Sequence, residues 1–114
     1  MMNKFSAIRT VYNGVTYASK AEATRAAELD LLKRAGAIRN WWHPTRLVLV
    51  DGKTARERVT YRADFGVLGN DGQEWLEDVK GVVTREFRLK MKLLHARYPQ
   101  VVVKVIRNGV EEVV

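Results

Sequence analysis

Residues 59–80, VTYRADFGVLGNDGQEWLEDVK, decide how the rest of the chain is read. Two β-prone runs flank Asn70-Asp71-Gly72, so the stretch is expected to form a hairpin, with Asp64 in its first strand and Asp78-Val79-Lys80 ending its second. Strand alternation puts Leu76, Asp78 and Lys80 on one face and Trp75, Glu77 and Val79 on the other. Loop length then sets the register. A three-residue loop with Gly72 in the left-handed conformation closes Gly69 opposite Gln73 and sets Asp64 opposite Asp78. A two-residue Asp71-Gly72 turn would instead bring Val79 there, and a four-residue loop Glu77. Facing carboxylates repel, so a purely structural hairpin gains nothing from the pair. A divalent cation held between them reverses that sign, and a metal site therefore requires the three-residue loop.

Outward from this stretch, Asn13-Gly14 between β-prone residues predicts a small hairpin over residues 8–17, after a weakly patterned lead-in. Ser19-Lys20-Ala21-Glu22 has the form of a capping box, and a helix is expected from there to Ala35, stopped by Gly36. Ala23, Ala27 and Leu31 would form its inner stripe, and Asp30 and Arg34 would pair across one turn. Pro44 argues against a regular element running through residues 38–44. Trp41 and Trp42 in this segment suit either packing or stacking on nucleic-acid bases. A short strand over 46–50 and a polar loop to Arg58 follow. Thr84 is the expected N-cap of a second helix over 85–97, with Phe87, Met91, Leu94 and Tyr98 on its inner face. Arg85, Arg88, Lys92 and His95 fall on a different, basic face. The β-branched run 101–106 predicts a strand covered on both sides, and Asn108-Gly109 a final turn against residues 110–114.

The chain has 114 residues, enough for one domain with its own core. Hydrophobic residues at 46% and charged residues at 29% place it among folded globular chains. Absence of cysteine excludes disulfides, thiolate metal sites and cysteine nucleophiles, and His43 and His95 alone cannot build a histidine cluster. No apolar run approaches the roughly 20 residues that span a bilayer, and no signal-peptide core is present, so the expected location is intracellular (cytoplasmic), with no membrane partner. A formal net charge of +7 on so small a body points to a polyanion, nucleic acid first.

The chemistry of the acidic hairpin follows from its donors. Oxygen ligands without sulfur or clustered imidazole favour Mg²⁺, with Mn²⁺ able to substitute, over zinc. Such a site polarises a phosphate oxygen and acidifies a bound water, and Lys80 would orient that water or offset transition-state charge. Each of these residues taken singly has an ordinary structural explanation, a solvated strand-end lysine in the case of Lys80. Nothing in the sequence supports a serine or cysteine hydrolase.

Taken together, Ser19-Lys20-Ala21-Glu22, Tyr61-Arg62-Ala63-Asp64-Phe65, Glu77-Asp78-Val79-Lys80-Gly81, Thr84 and the helix holding Lys90 resemble the PD-(D/E)XK nuclease superfamily. The likeness is to small phage-encoded proteins related to endonuclease I type Holliday-junction resolvases and to transposase nuclease subunits. Ala63 stands where the superfamily's name has proline, a position widely replaced within it. The resemblance implies a mixed α/β (α+β) restriction-endonuclease-like core, a central sheet flanked by two helices in the order αβββαβ. It also implies divalent-metal dependence, phosphodiester hydrolysis and no organic cofactor. Carried over by position, Asp64 is the central metal ligand, Asp78 the second and Lys80 the catalytic lysine. Glu22 is either the acid supplied by the first helix or only its cap. Arg88 and Lys90 match a basic face for the substrate backbone, with Arg85 and Lys92 beside them. The expected activity is a Mg²⁺-dependent DNA endonuclease, acting on branched DNA as a homodimer. A nuclease subunit of a transposase or packaging complex, and a non-catalytic basic nucleic-acid-binding module, are the alternatives.

Overall fold

Gly72 adopts φ +86°, which a side chain would strain, and its N–H donates to the carbonyl of Gly69 at 3.1 Å. Gly69 N–H in turn donates to Gln73 at 2.8 Å, closing the three-residue loop that the sequence predicts. In this computed structural model, which describes residues 7–114, the loop joins β6 (Phe65–Gly69) to β7 (Glu74–Val79). Phe65 pairs with Glu77 and Val67 with Trp75, so the expected register holds.

One part of the hairpin is corrected. Residues 59–69 do not make one strand: β5 (Val59–Tyr61) pairs with β4 (Leu47–Val50) in a separate two-stranded ribbon, and only Phe65 onward enters the main sheet. Asp64 therefore lies in the bend between two strands, not within the first one. The two apolar runs are separated by just Arg62, Ala63 and Asp64, and their pattern carries no information about which neighbour each will bond.

The main sheet has the order β3-β6-β7-β8-β9, with β3 (Ile38–Trp42), β8 (Val103–Arg107) and β9 (Val110–Val113) completing it. β7 and β8 are parallel, a pairing that needs a crossover, and α2 (Arg85–Arg97) provides it. The other pairs are antiparallel. With α1 (Lys20–Arg34), the order α1-β3-β6-β7-α2-β8 reproduces the expected αβββαβ succession, and the fold is mixed α/β. A small hairpin of β1 (Thr10–Tyr12) and β2 (Val15–Tyr17) precedes α1, turned at Asn13-Gly14 as expected. Of the lead-in, residues 1–6 lie outside the described residues.

The helices take opposite faces of the sheet. Ala26 and Leu29 of α1 cluster with Tyr17, Ile38, Phe65 and Val67; Phe87, Met91 and Leu94 of α2 cluster with Leu49, Tyr61, Val103 and Val105. Burial of a side chain such as Leu29 or Phe65, both fully covered, contributes roughly 2–3 kcal/mol. Thr84 caps α2 by accepting from Phe87 N–H at 3.1 Å, and the predicted inner face is the buried one.

Two local expectations fail for one reason, that polar groups turn inward where they find partners. Leu31 is 60% exposed, and the inner stripe of α1 runs through Ala23, Ala26 and Leu29 because Arg25 is drawn onto the sheet. Asp30 does not close on Arg34; it accepts from Tyr12 Oη at 2.6 Å and Trp41 Nε1 at 2.9 Å, tying the first hairpin and β3 to α1. No regular element runs through Pro44, as expected, but residues 38–42 before it form a strand whose register shifts between Ile38 and Asn40. Trp41 packs edge-on to Phe65, and Trp42 crosses Gly66, where an added Cβ would come within 2.4 Å of the indole.

Candidate active site

The site forms where β7 ends beside the bend at Asp64. Continuing the Phe65–Glu77 register one step outward puts Asp64 next to Asp78. Asp64 N–H donates to the carbonyl of Glu77 at 3.0 Å, and its Oδ2 accepts from Val79 N–H at 2.8 Å, so backbone on both sides orients the carboxylate. Asp78, 6% exposed, accepts from Tyr61 Oη at 2.7 Å through Oδ2 and faces Lys80 Nζ at 3.4 Å through Oδ1. The Lys80 ammonium also lies 4.4 Å from the centre of the Phe87 ring, a cation–π contact that fixes the side chain from α2. Asp78 and Lys80 thus share a face as strand alternation requires, and Asp64 joins them from the neighbouring strand end.

Glu77 points to the other face, as predicted, and is completely buried there. Its partner is Arg25, which sequence reasoning missed. Arg25 Nε and Nη2 donate to the two Glu77 oxygens at 2.7 and 2.9 Å, and Trp75 Nε1 adds a third bond at 2.9 Å. Glu28 and Glu111 take further Arg25 donors, at 3.1 and 3.2 Å. This bidentate pair bolts α1 to β7 one turn below Glu22. It joins residues 52 positions apart, so no local pattern announces it. The only cue is a charged residue in the middle of an otherwise apolar helix face.

Glu22 lies in the capped first turn of α1 and lines the cavity that also reaches Asp64. Its N–H donates to Ser19 Oγ at 3.1 Å, the capping bond. Burial raises its carboxyl above the usual range; hydrogen bonds from Ala18 backbone and Ser19 oppose this, Asp78 adds to it and Lys80 opposes it. Glu22 therefore feels both ends of the Asp78–Lys80 pair.

Asp64 is the carboxylate that its surroundings shift most. Its pKa is pushed up to about 7, first by burial and then by the charge of Asp78, with Glu22 adding and the Val79 N–H opposing. Burial, then Asp78, also pushes the Tyr61 hydroxyl up, which keeps it a donor to the carboxylate.

Two cavities meet at Asp64 and Arg62. One, about 340 Å³, is lined by Tyr61, Asp78, Lys80, Thr84, Glu86 and Lys90. The other, about 680 Å³, holds Glu22 together with Tyr17, His43, Arg46 and Ala63. Lys90 thus faces the site, restrained by Glu86 at 3.6 Å. Arg85, Arg88 and Lys92 are exposed on the outer side of α2 and line neither cavity.

Two crowded carboxylates with only oxygen donors, one raised to about 7 by burial and then by the other's charge, fit a hard divalent cation. Among the described residues no three His, Cys, Asp or Glu side chains close into a ready-made cage, so the protein offers an open set centred on Asp64 and Asp78. Among those residues, too, no helix is long and apolar enough to cross a membrane. No curated protein and no solved structure matches the chain. A family model matches residues 2–111, and the chain belongs to that family, described as Protein of unknown function (DUF1064).

Proposed function

We propose that this protein is a metal-dependent DNA endonuclease of the PD-(D/E)XK type, hydrolysing phosphodiester bonds in the cytoplasm of the cell that makes it or, if phage-encoded, of the host. One observation carries the reading: Asp64 and Asp78 converge on one point at the end of β7, and Lys80 Nζ lies 3.4 Å from Asp78 on the same face. The α1-β3-β6-β7-α2-β8 order supports it, since acid, acid-x-lysine and flanking helix occupy the positions that such a core requires.

Asp64 and Asp78 would hold Mg²⁺, or Mn²⁺ in its place, while Glu22 lines the adjoining cavity that shares Asp64. Sites of this kind polarise a phosphate oxygen and lower the pKa of a bound water. Around that point the chain's own groups have distinct tasks. Tyr61 fixes Asp78 by its hydrogen bond, leaving Oδ1 toward the cavity and Lys80. Lys80 offsets negative charge accumulating on the scissile phosphate and orients the attacking water. Lys90, at the cavity wall, supplies a phosphate contact.

The substrate class proposed is branched DNA, with a homodimer as the working unit, because two cuts on opposed strands need two sites and one chain carries one. The absence of a closed three-acid cluster among the described residues favours a second version, in which the site is completed inside a transposase or packaging complex. Incubation with four-way-junction and linear DNA, with Mg²⁺ or with chelator, tests both. Chelator-sensitive cutting that Asp64→Ala abolishes is expected. Full activity of Asp64→Ala overturns the proposal, inactivity relieved by a partner protein selects the second version, and salt-dependent binding without cutting leaves a binding module.

A further inference from the structure

The ribbon of β4 and β5 ends on the Leu47–Tyr61 pair, and one step outward on that register Arg46 stands beside Arg62. Like charges set directly across a ribbon destabilise it. Neither guanidinium forms a hydrogen bond or ion pair with another described residue, although Arg25, Lys80, Lys90 and Arg97 all find carboxylates. Both arginines are exposed, and both line the 680 Å³ cavity that has Glu22 and Asp64 at its other side. That cavity continues past Asp64 into the smaller one holding Asp78 and Lys80. A ribbon excursion from the main sheet thus delivers two unneutralised guanidinium groups to the rim of an acidic centre, where phosphate oxygens are the ligands that would relieve their repulsion.

We infer that Arg46 and Arg62 form a phosphate clamp, which grips the DNA strand in the Glu22-side cavity next to the phosphate at Asp64 and Asp78. The inference rests on the nuclease reading for its ligand, and it locates the main backbone grip on the ribbon, not on the outer face of α2. The strand then runs from the Arg46–Arg62 rim, past Asp64, to Lys80 and Lys90. Guanidinium groups suit this place because each presents paired donors to a phosphate, whereas a lysine offers a point charge.

The test is DNA binding by fluorescence anisotropy across a salt series, with a four-way junction and a duplex, in an Asp64→Asn parent that does not cut. Arg46→Ala/Arg62→Ala is expected to weaken binding about tenfold per arginine near 0.1 M salt and to lower the salt slope by about 1 to 2. Arg46→Lys/Arg62→Lys is expected to keep the slope. Arg85→Ala/Arg88→Ala/Lys92→Ala should change affinity less than the double alanine variant does. A thermal melt without DNA provides a separate readout: removing either arginine leaves the midpoint unchanged or higher, because only repulsion is lost. Parent-like affinity and slope in the double variant overturn the clamp while leaving the nuclease reading intact. No binding by the parent overturns both, and binding by the parent with no cutting by the wild type, whether alone or with a partner protein, overturns the nuclease reading alone.

Discussion

Asp64→Asn should stabilise the metal-free protein at pH 8 and do little at pH 4. Asparagine keeps the shape of the side chain, can still accept from Val79 N–H, and can donate to Asp78, but it cannot ionise. In the folded protein the Asp64 carboxyl is raised from the ordinary 3.8 to about 7. The native state therefore holds the proton more tightly than the unfolded chain. The stability that comes from this group is fully present below about 3.8 and is lost as pH rises through about 7. At about 1.4 kcal/mol for each pH unit of displacement, the loss is at most about 4 kcal/mol. The carboxylate is partly hydrated and shares its titration with Asp78, which reduces the expected effect to about 2 kcal/mol. For a chain of this size that is about 8 °C in melting temperature. Thermal and urea unfolding of wild type and Asp64→Asn in chelator, at pH 4, 6 and 8, would measure it. Addition of Mg²⁺ at pH 8 should raise the wild-type midpoint and leave the variant nearly unmoved, because only the ionised pair gains a counter-charge. Parallel pH profiles for the two proteins would mean that neither burial nor Asp78 raises the Asp64 carboxyl, and would overturn this prediction.

Other expectations are shorter. Arg25→Ala leaves Glu77 charged, buried and short of its bidentate partner, and should cost about 3–5 kcal/mol in urea unfolding, whereas Arg25→Met/Glu77→Leu should lie much closer to wild type. Tyr61→Phe removes a bond to Asp78 without changing packing; stability should fall by about 1 kcal/mol, and metal affinity, read by titration calorimetry, by about tenfold or more. Gly66→Ala drives a Cβ into Trp42, with a cost of about 1–3 kcal/mol and a shift in tryptophan emission as the indole moves. Thr84→Ala uncaps α2 for about 1 kcal/mol by thermal melt.

The sequence was most legible where local chemistry leaves one solution. Among the loop lengths open to Asn70-Asp71-Gly72, the three-residue loop with Gly72 left-handed is a favoured hairpin form, and it sets the register bringing Asp64 beside Asp78. Thr84 and the apolar spacing from Phe87 to Tyr98 bound α2 correctly for the same reason. Legibility ended where a residue's fate depends on something distant in sequence. Val59, Thr60 and Tyr61 look like the start of the strand at Phe65, yet their hydrogen bonds go to Val48 and its neighbours. Leu31 looks like core and Arg25 like solvent; the order is reversed because Glu77, far along the chain, neutralises the arginine. Glu22 shows both aspects at once. The Ser19 cap is visible in four residues, whereas its approach to Asp78 depends on how α1 is fastened to the sheet.

That fastening bears on why the acids are there at all. β7 carries two adjacent carboxylates pointing to opposite faces, Glu77 fully buried and Asp78 nearly so. On one face the fold supplies everything a buried charge needs: a bidentate guanidinium at 2.7 and 2.9 Å and an indole N–H. On the other it sets a second carboxylate beside the first and answers the two with one ammonium at 3.4 Å, one phenol and one backbone N–H. The two environments are a single residue apart, so the difference is not a limit of the architecture. A chain able to satisfy Glu77 so fully could have placed an arginine or an apolar pair at Asp64 and been more stable for it. Stability forgone at one point, beside full satisfaction at the next, is what a site reserved for a cation and a phosphate would produce. In this account the Arg25–Glu77 bond is the rigid side of the arrangement, holding Glu22 and β7 in fixed relation while the opposite face keeps its charge uncompensated. A graded test follows: Arg25→Lys, which keeps the charge but loses the bidentate geometry, should lower both cutting and the melting temperature, whereas Asp64→Asn should abolish cutting while raising the melting temperature at pH 8.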